Sequence, residues 1–425
     1  MKTGLVLISQ AYLGFATERT LERAASQARL SIVLHADEAL HPKLAPYVSE
    51  VHRLTGRTLR NLQPAFDVDE LTEVVGYEIA AAGGDPARVA LLCQQEDNVL
   101  PTAHVRRRTG IVGDGPELVE RFRDKVLMKR ALAERMPWAL PRYRGFSTAR
   151  AVADPEGYHR ELTAELGADT LIVKPTAAAG SLNVAVVSDA RDLAEAAERI
   201  RSDEREFEYE VDELIEGTMY QCDSFVRDGR VVFSGILELG CSNFDFVQGR
   251  PLSVYPVTDE ELYRRLFEFN QDVVSALGFR DGSTHHELFV RRDGEGELRL
   301  TFLEIAARVP GGLGVPFHER NSGINLIDAN ILLTLGDPLA DTVRGERRNN
   351  VVSALLPVGR GRIVSLNQPD ITSGYSIDWR VGVGDVVDSR SLIDNAGILT
   401  FANDDPVVLR EDFEKLQSYV PVVCE

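Results

Sequence analysis

Thr284-His285-His286-Glu287-Leu288-Phe289-Val290-Arg291 and Leu298-Arg299-Leu300-Thr301-Phe302-Leu303-Glu304-Ile305 flank Asp293-Gly294-Glu295-Gly296, and together they read as a β-hairpin with glycine in its loop. A hairpin centred between Glu295 and Gly296 sets Glu287 directly opposite Glu304, and opposed residues of an antiparallel pair share a face. Two opposed glutamates in apolar strands repel. A divalent cation between them removes the conflict, and all-oxygen ligation suits Mg²⁺ or Mn²⁺ with phosphate oxygens completing the shell. His285 shares the face of Glu287 by period-two alternation, and Arg308 lies four residues past Glu304, placed to meet negative charge leaving the metal. On pattern alone a solvent-facing edge hairpin stands beside this reading.

Working outward, Lys174 sits inside the apolar strand Leu171-Ile172-Val173-Lys174-Pro175, where a charge needs a partner. The loop that follows, Thr176-Ala177-Ala178-Ala179-Gly180-Ser181, is made of small residues whose backbone N–H groups can approach an anion. A lysine snorkelling at a strand end is the plainer account of Lys174. Lys125, in Arg121-Phe122-Arg123-Asp124-Lys125-Val126-Leu127-Met128-Lys129, reads by itself as a solvated helix lysine. Glu210-Val211-Asp212-Glu213-Leu214-Ile215-Glu216-Gly217 could clamp a flat base between aliphatic side chains and main-chain polar groups, or could be an ordinary strand turn. Gly311-Gly312-Leu313-Gly314 is too weak for a dinucleotide site, because no clean helix is expected to open on it.

Upstream, strands at Leu5–Ser9, Leu30–Leu34 and Val89–Cys93 alternate with a helix at Thr17–Arg29, which argues for a parallel sheet with helices on its faces. Gln94-Gln95-Glu96-Asp97-Asn98 then falls beyond a strand's carboxyl end, where ligand contacts gather in such sheets, although polar loops are common there too. Further elements are expected as helices at Glu117–Arg135, Leu193–Ile200, Asp259–Leu277 and Asn325–Leu335, and as strands at Asp169–Pro175, Asn183–Val187, Tyr209–Ile215, Met219–Val226 and Val231–Leu239. The remainder, from about 345, is strand-rich and looks like a small closing lobe.

Forty-seven Lys+Arg against 66 Asp+Glu give a net charge of −19 over 425 residues, which argues against a nucleic-acid partner. Arg106-Arg107-Arg108, the longest cationic run, reads as a solvated helix face. A chain 44% hydrophobic and 27% charged has ample material for a core, so disorder is excluded. No stretch reaches the roughly 18 consecutive apolar residues of a membrane span. The first apolar segment is too short for a signal peptide. Cys93, Cys222, Cys241 and Cys424 stand far apart without zinc spacing and are read as reduced thiols of a cytoplasmic protein.

In order, these pieces resemble the ATP-grasp carboxylate–amine ligases. The resemblance is carried by Arg123-Asp124-Lys125-x-x-Met128-Lys129, Val173-Lys174-Pro175…Gly180-Ser181 and Glu213-Leu214-Ile215-Glu216-Gly217. It continues through His285-His286-Glu287 and Glu304-Ile305-Ala306-Ala307-Arg308-Val309-Pro310-Gly311-Gly312. It implies an α/β ATP-grasp fold with an N-terminal Rossmann-like parallel-sheet lobe (1–110) and a central two-lobed ATP-binding region (111–340, lid about 140–215). A small strand-rich C-terminal lobe (341–425) completes it. It further implies that Lys125 and Lys174 contact ATP phosphates or the adenine edge, and that Gly180 and Ser181 belong to a mobile lid over the triphosphate. Glu213, with the backbone at Leu214 and Ile215, would hold the adenine. Glu287 and Glu304 would ligate one or two Mg²⁺ (or Mn²⁺), and Arg308 would stabilise the phosphoryl group in transit. His285 would orient the acid or take the amine's proton, or else be a satisfied hydrogen-bonded histidine. Glu96, Gly311 and Gly312 are candidates for substrate contact. Two positions depart from the pattern: Ala306 stands where many relatives have Asn, and Met219 where some carry a ribose-binding acid.

The Arg-Asp-Lys-x-x-Met-Lys, Glu216–Tyr220 and Glu-Ile-Ala-Ala-Arg segments look most like the branch that joins amino acids, including L-amino-acid (dipeptide) ligases of natural-product pathways. The implied reaction activates an amino acid carboxylate, α or γ, as an acyl phosphate. The amine of a second amino acid then attacks, releasing ADP and phosphate. The alternatives are another ATP-grasp reaction, such as biotin-type carboxylation or a purine-pathway ligation, and a non-catalytic nucleotide-binding protein. Small-molecule partners are expected, with neither nucleic acid nor membrane, and the resemblance admits a homodimer.

Overall fold

The computed structural model describes residues 2–58, 64–180, 182–205, 207–294, 296–388 and 394–425. Four parallel strands open the fold, in the order Glu50–Leu54, Arg29–His35, Gly4–Ile8, Val89–Cys93. Gly4–Ile8 is buried throughout because helices cover both faces: Leu5 and Leu7 pack into one core, Val6 and Ile8 into another. Chain direction across the sheet reverses at this first strand. The crevice beyond the carboxyl ends of Gly4–Ile8 and Val89–Cys93 is therefore the switch point at which ligands tend to bind. Gln94–Asn98 fills it, and Asn98 opens the helix Val99–Thr109. Arg107 and Arg108 at that helix's end pair with Glu117 and Asp69 on the surface, whereas the Arg106 guanidinium turns inward to donate to the Leu91 carbonyl at 2.9 Å.

The long helix expected over Glu117–Arg135 is broken. Pro116–Glu120 and Lys125–Ala133 are separate helices, because the Asp124 side chain accepts from Leu127 N at 2.8 Å and so caps a new start. Lys125 thereby becomes the first residue of a helix.

Residues 143–213 build a four-stranded antiparallel sheet in the order Tyr143–Gly145, Tyr209–Glu213, Leu171–Pro175, Ala185–Val187. Helices Thr148–Ala153, Pro155–Leu166 and Ala190–Ser202 cover it and close a core around Leu162, Val173, Leu193 and Val211.

An eight-stranded antiparallel sheet forms the centre. Its order is Leu298–Ala306, Gly282–Arg292, Thr218–Arg227, Arg230–Leu239, Leu252–Pro256, Val351–Pro357, Asn395–Ala402, Gly374–Trp379. The strand-rich tail thus continues the central sheet through Leu252–Pro256 and Val351–Pro357, so the sheet runs on across position 341. Helix Glu260–Leu277 packs one face of this sheet, and Leu326–Leu335 wedges between it and the parallel sheet. A nine-residue helix, Gly314–Ser322, opens directly on the glycine segment, where none was expected. Among the described residues, no helix is long and apolar enough to cross a membrane, and all four cysteines are free.

Candidate active site

The hairpin brings Glu287 opposite Glu304, as the pairing requires, but by an uneven route. From Leu288 with Phe302 to Arg292 with Leu298 the register is one step off that of Glu287 with Glu304, and Leu303 is the extra residue. A bulge of this kind re-aims side chains. Leu303 and Glu304, although adjacent, both line the central cavity; Phe302 lies between that cavity and the core, and Ile305 is buried in the core below. Glu287 is 5% exposed, so the hairpin is no solvent-facing edge at this point.

That cavity, of about 640 Å³, lies between the four-stranded antiparallel sheet and the central sheet. Lys125, Lys174, Gly180, Glu213, Leu214, Ile215, Glu287 and Glu304 all line it. Ser181, expected beside Gly180, lies outside the described residues. Gly180 itself adopts φ +66°, a conformation open to glycine at no steric cost.

Neither lysine is solvated. Lys125 is buried; its Nζ lies 2.8 Å from Glu304 Oε2 and donates to the Ala178 carbonyl at 2.9 Å. Its backbone N donates to Thr176 O at 2.8 Å, and Arg123 reaches Ala177 O at 3.0 Å, so the small-residue loop is held by its carbonyls. Burial would push the Glu304 carboxyl up, but Lys125 holds it below the usual range. Lys174 Nζ meets Asp212 Oδ2 at 2.8 Å. Burial opposes its charge, yet Asp212 and Glu210 hold its pKa above the ordinary value. Lys129, fully buried behind it, pairs with the same two acids at 2.6 Å and 3.0 Å; burial and the Lys174 charge lower its pKa. The sequence reading gave no role to Glu210, Asp212 or Lys129. Their signal was three charges on apolar elements, with Glu210 the strand partner of Lys174.

The segment 213–217, the hinge between strands Tyr209–Glu213 and Thr218–Arg227, departs from expectation. The Glu213 carboxylate accepts from Arg142 N at 2.8 Å and from Arg142 Nε at 3.0 Å, and Leu214 N donates to Thr170 O at 3.1 Å. Those groups are already engaged in holding the hinge. What the cavity offers a flat ring is the Ile215 segment together with apolar walls from Ile172, Val184, Met219, Phe289 and Leu303. Beyond Met219 an acid is present on the adjoining strand: Glu238 lines the cavity and accepts from Tyr220 Oη at 3.2 Å and Arg410 Nη1 at 2.7 Å.

At the paired glutamates, Gln221 donates to Glu287 Oε1 at 3.0 Å, and His285 Nε2 stands 3.4 Å from the same oxygen. Ala306 is the strand partner of His285 and offers no ligand of its own. His285 Nδ1 lies 2.6 Å from Asp223 Oδ1, and His318 Nε2 lies 2.6 Å from Asp223 Oδ2. Burial would lower the pKa of His285, but the Asp223 charge and hydrogen bond carry it up to about 9. The neighbouring His286 points the other way, bonded to Asn270 and stacked with Phe269, and burial pushes it down to about 3.

Arg308 is drawn to the crevice of the parallel sheet. Its Nε donates to Glu96 Oε2 at 2.7 Å, and Arg123 pairs with the other Glu96 oxygen. Burial would raise the Glu96 carboxyl, yet Arg308 and Arg123 hold it at about 2. Gly311 faces the Tyr12 hydroxyl, which a Cβ would approach to 3.4 Å, and Gly312 turns at φ +53°. Glu96 and Gly311 thus lie at the switch point, Gly312 faces Leu355 of the central sheet, and none of the three lines the main cavity.

Among the described residues, no group of three or more His, Cys, Asp or Glu side chains is spaced to hold a metal unaided. Glu287 and Glu304 fit instead an ion that takes two carboxylates and completes its shell with phosphate oxygens and water, as Mg²⁺ does.

Comparison with known proteins agrees with this architecture. Residues 168–316 match the ATP-grasp domain family. The uncharacterized protein y4rH of Sinorhizobium fredii is 26% identical over 350 residues, covering 79% of this chain and 64% of its own length. This chain therefore spans just under two-thirds of that curated relative. The L-amino acid ligase of Bacillus licheniformis superposes with a TM-score of 0.71 at 17% identity, over 100% of this chain and 99% of that one. N5-carboxyaminoimidazole ribonucleotide synthetase of Thermotoga maritima superposes at 0.63 and 16% identity, over 100% of both chains. Residues 168–316 thus match an ATP-grasp domain, and the fold of the whole chain is that of the ATP-grasp ligases.

Proposed function

We propose that the protein is an ATP-dependent ligase that activates an amino acid carboxylate as an acyl phosphate and joins it to the amine of a second amino acid. The observation that carries this reading is a pair of opposed glutamates beside two buried lysines on one cavity, with a buried arginine four residues further on. Likeness of fold to an L-amino acid ligase supports the choice of substrates.

A carboxylate is a poor electrophile, so its oxygen must first take the γ-phosphoryl group of ATP. Lys125 and Lys174 would neutralise the phosphates, and Arg308 would stabilise charge on the group in transit. Mg²⁺, held by Glu287 and Glu304, would supply Lewis-acid neutralisation of the phosphate oxygens. The aliphatic walls around Ile172, Met219 and Leu303 would take the adenine, with Glu238 toward the ribose in place of an acid at Met219. The amine then attacks the acyl carbon, the C–N bond forms and phosphate leaves. The loop 176–180 would keep water from the acyl phosphate. Asp223, itself held by His318, would keep His285 toward Glu287; with its pKa carried up to about 9 the ring is cationic at neutral pH, which suits it to orient the acid's carboxylate and leaves it no lone pair for the amine's proton.

The test is phosphate release from ATP and Mg²⁺ over a matrix of paired amino acids, with ADP and AMP resolved. Release that requires two amino acids and yields ADP is the expected result. AMP as product overturns the acyl-phosphate step, and release that requires bicarbonate in place of an amine assigns the site to carboxylation.

A further inference from the structure

A second cavity, of about 490 Å³, lies behind the hinge, within the size range of small-molecule sites. Glu213 and Ile215 line both this cavity and the main cleft, so the two share a wall. Helix Glu260–Leu277 presents Arg265, Phe269 and Asp272 to it, at helical spacing on one face. From the hairpin come Arg291 and Arg299, which are register partners. Opposed residues share a face, so two guanidiniums are set side by side, an arrangement that costs energy unless an anion joins them.

The protein answers this charge incompletely. Arg299 Nε donates to Asp293 Oδ2 at 2.9 Å. Arg291 feels the Glu213 carboxylate on the same cavity and Arg265 feels Glu261, but neither closes to an ion pair among the described residues, and Asp272 makes none either. The cavity therefore offers cationic groups suited to a carboxylate and one free carboxylate suited to an ammonium. Beside them Trp138 is 66% exposed, its ring 5.8 Å from that of buried Phe269, which gives an apolar shelf for a side group.

We propose that this cavity binds a free amino acid with an apolar or aromatic side chain, at a site separate from the ligation cleft. Its carboxylate would lie on Arg291 and Arg265, its ammonium on Asp272, and its side chain on Trp138. Because the hinge forms the common wall, occupancy would alter ATP affinity, and ATP would alter amino acid affinity by the same factor.

Trp138 is one of two tryptophans, so in a Trp379→Phe background all tryptophan emission comes from a residue that lines this cavity. Titration with L-phenylalanine, without ATP, should give a saturable change in that emission. Phenylacetate and phenethylamine, each lacking one charge, should bind weaker by on the order of tenfold or more. Arg291→Gln and, independently, Asp272→Asn should weaken L-phenylalanine to a similar degree; both positions are exposed, and a thermal melt of each verifies the fold. No saturable change overturns the proposal. So does a change that both variants leave intact, since it would then arise in the main cleft. The measurement needs no turnover, so it stands or falls apart from the ligase reading.

Discussion

Glu96 and Arg308, 212 residues apart in sequence, are joined Oε2 to Nε at 2.7 Å across the seam between the parallel sheet and the central sheet. The same carboxylate holds Arg123, so one acid beyond the parallel sheet positions two arginines, one just before the helix Lys125–Ala133 and one just past the hairpin. Arg308→Lys keeps the charge but loses the planar fork. Turnover should then fall by about a hundredfold or more, with ATP affinity changed little, because the proposed task of Arg308 arises as charge develops in transfer. Equal losses in turnover and in ATP binding would assign Arg308 to ground-state binding instead.

The same pair sets a pH dependence. The Glu96 carboxyl is held at about 2 against an ordinary value near 4.5, so its ionised form stabilises the fold. That contribution, about 3 kcal/mol, is fully present above the ordinary value and is lost as pH falls through about 2. Glu96→Gln should therefore lower stability at neutral pH, and the gap from wild type should narrow steadily below about pH 4.5. Denaturant melts across this range measure it. A gap that stays constant down to the acid limit would mean that packing, not charge, is what the substitution removes.

Glu287→Gln and Glu304→Gln keep shape and remove one charge each. Both should abolish the tightening of ATP binding by Mg²⁺ and cut turnover by at least on the order of a hundredfold. Calorimetric titration of ATP with and without Mg²⁺ separates them from a general loss of binding. If either variant retains Mg²⁺-dependent tightening, that residue is no ligand.

How much of this was legible beforehand depends on the range of the interactions. The Glu287–Glu304 pairing could be read because a hairpin is local and its alternation is regular. The bulge at Leu303 could not, since one extra residue leaves no mark on a pattern that is apolar on both sides. Nor could the cap at Asp124, because Arg121–Lys129 keeps helical composition through the break. Burial of Lys125 follows from that break. His318 meets Asp223 across 95 residues, through a helix that the glycine segment gave no reason to expect. The tail's membership of the central sheet is likewise non-local, as strand pairing at such separation is set by tertiary packing.

Lys129 and Lys174 look alike in sequence, but their surroundings predict different failures. Lys129 is fully buried between Glu210, Asp212 and the Tyr143 ring and does not line the cleft. Lys129→Met strands two buried acids on a single remaining cation, a change that costs about 3–5 kcal/mol. Where the variant folds, ATP affinity should stay within a few-fold of wild type. Lys174→Met should instead weaken ATP on the order of tenfold or more, since Lys174 reaches the cavity. Comparable ATP binding in the two variants would remove the distinction.

Gly235, the strand partner of Asp223, tests the Asp223 relay through His318. A Cβ at this position would fall 2.1 Å from His318 Nδ1, so Gly235→Ala must push the imidazole aside. His318 sits in a packed interior and has little room to yield, and overpacking of this kind costs about 1–3 kcal/mol. The displaced ring loses its 2.6 Å contact with Asp223, leaving His285 as that carboxylate's remaining histidine partner. A thermal melt should show the destabilisation, and His318→Ala alone should reproduce any loss of turnover seen in Gly235→Ala. If Gly235→Ala lowers turnover while His318→Ala does not, the strand carrying Gly235, and not the relay, is what the methyl group disturbs.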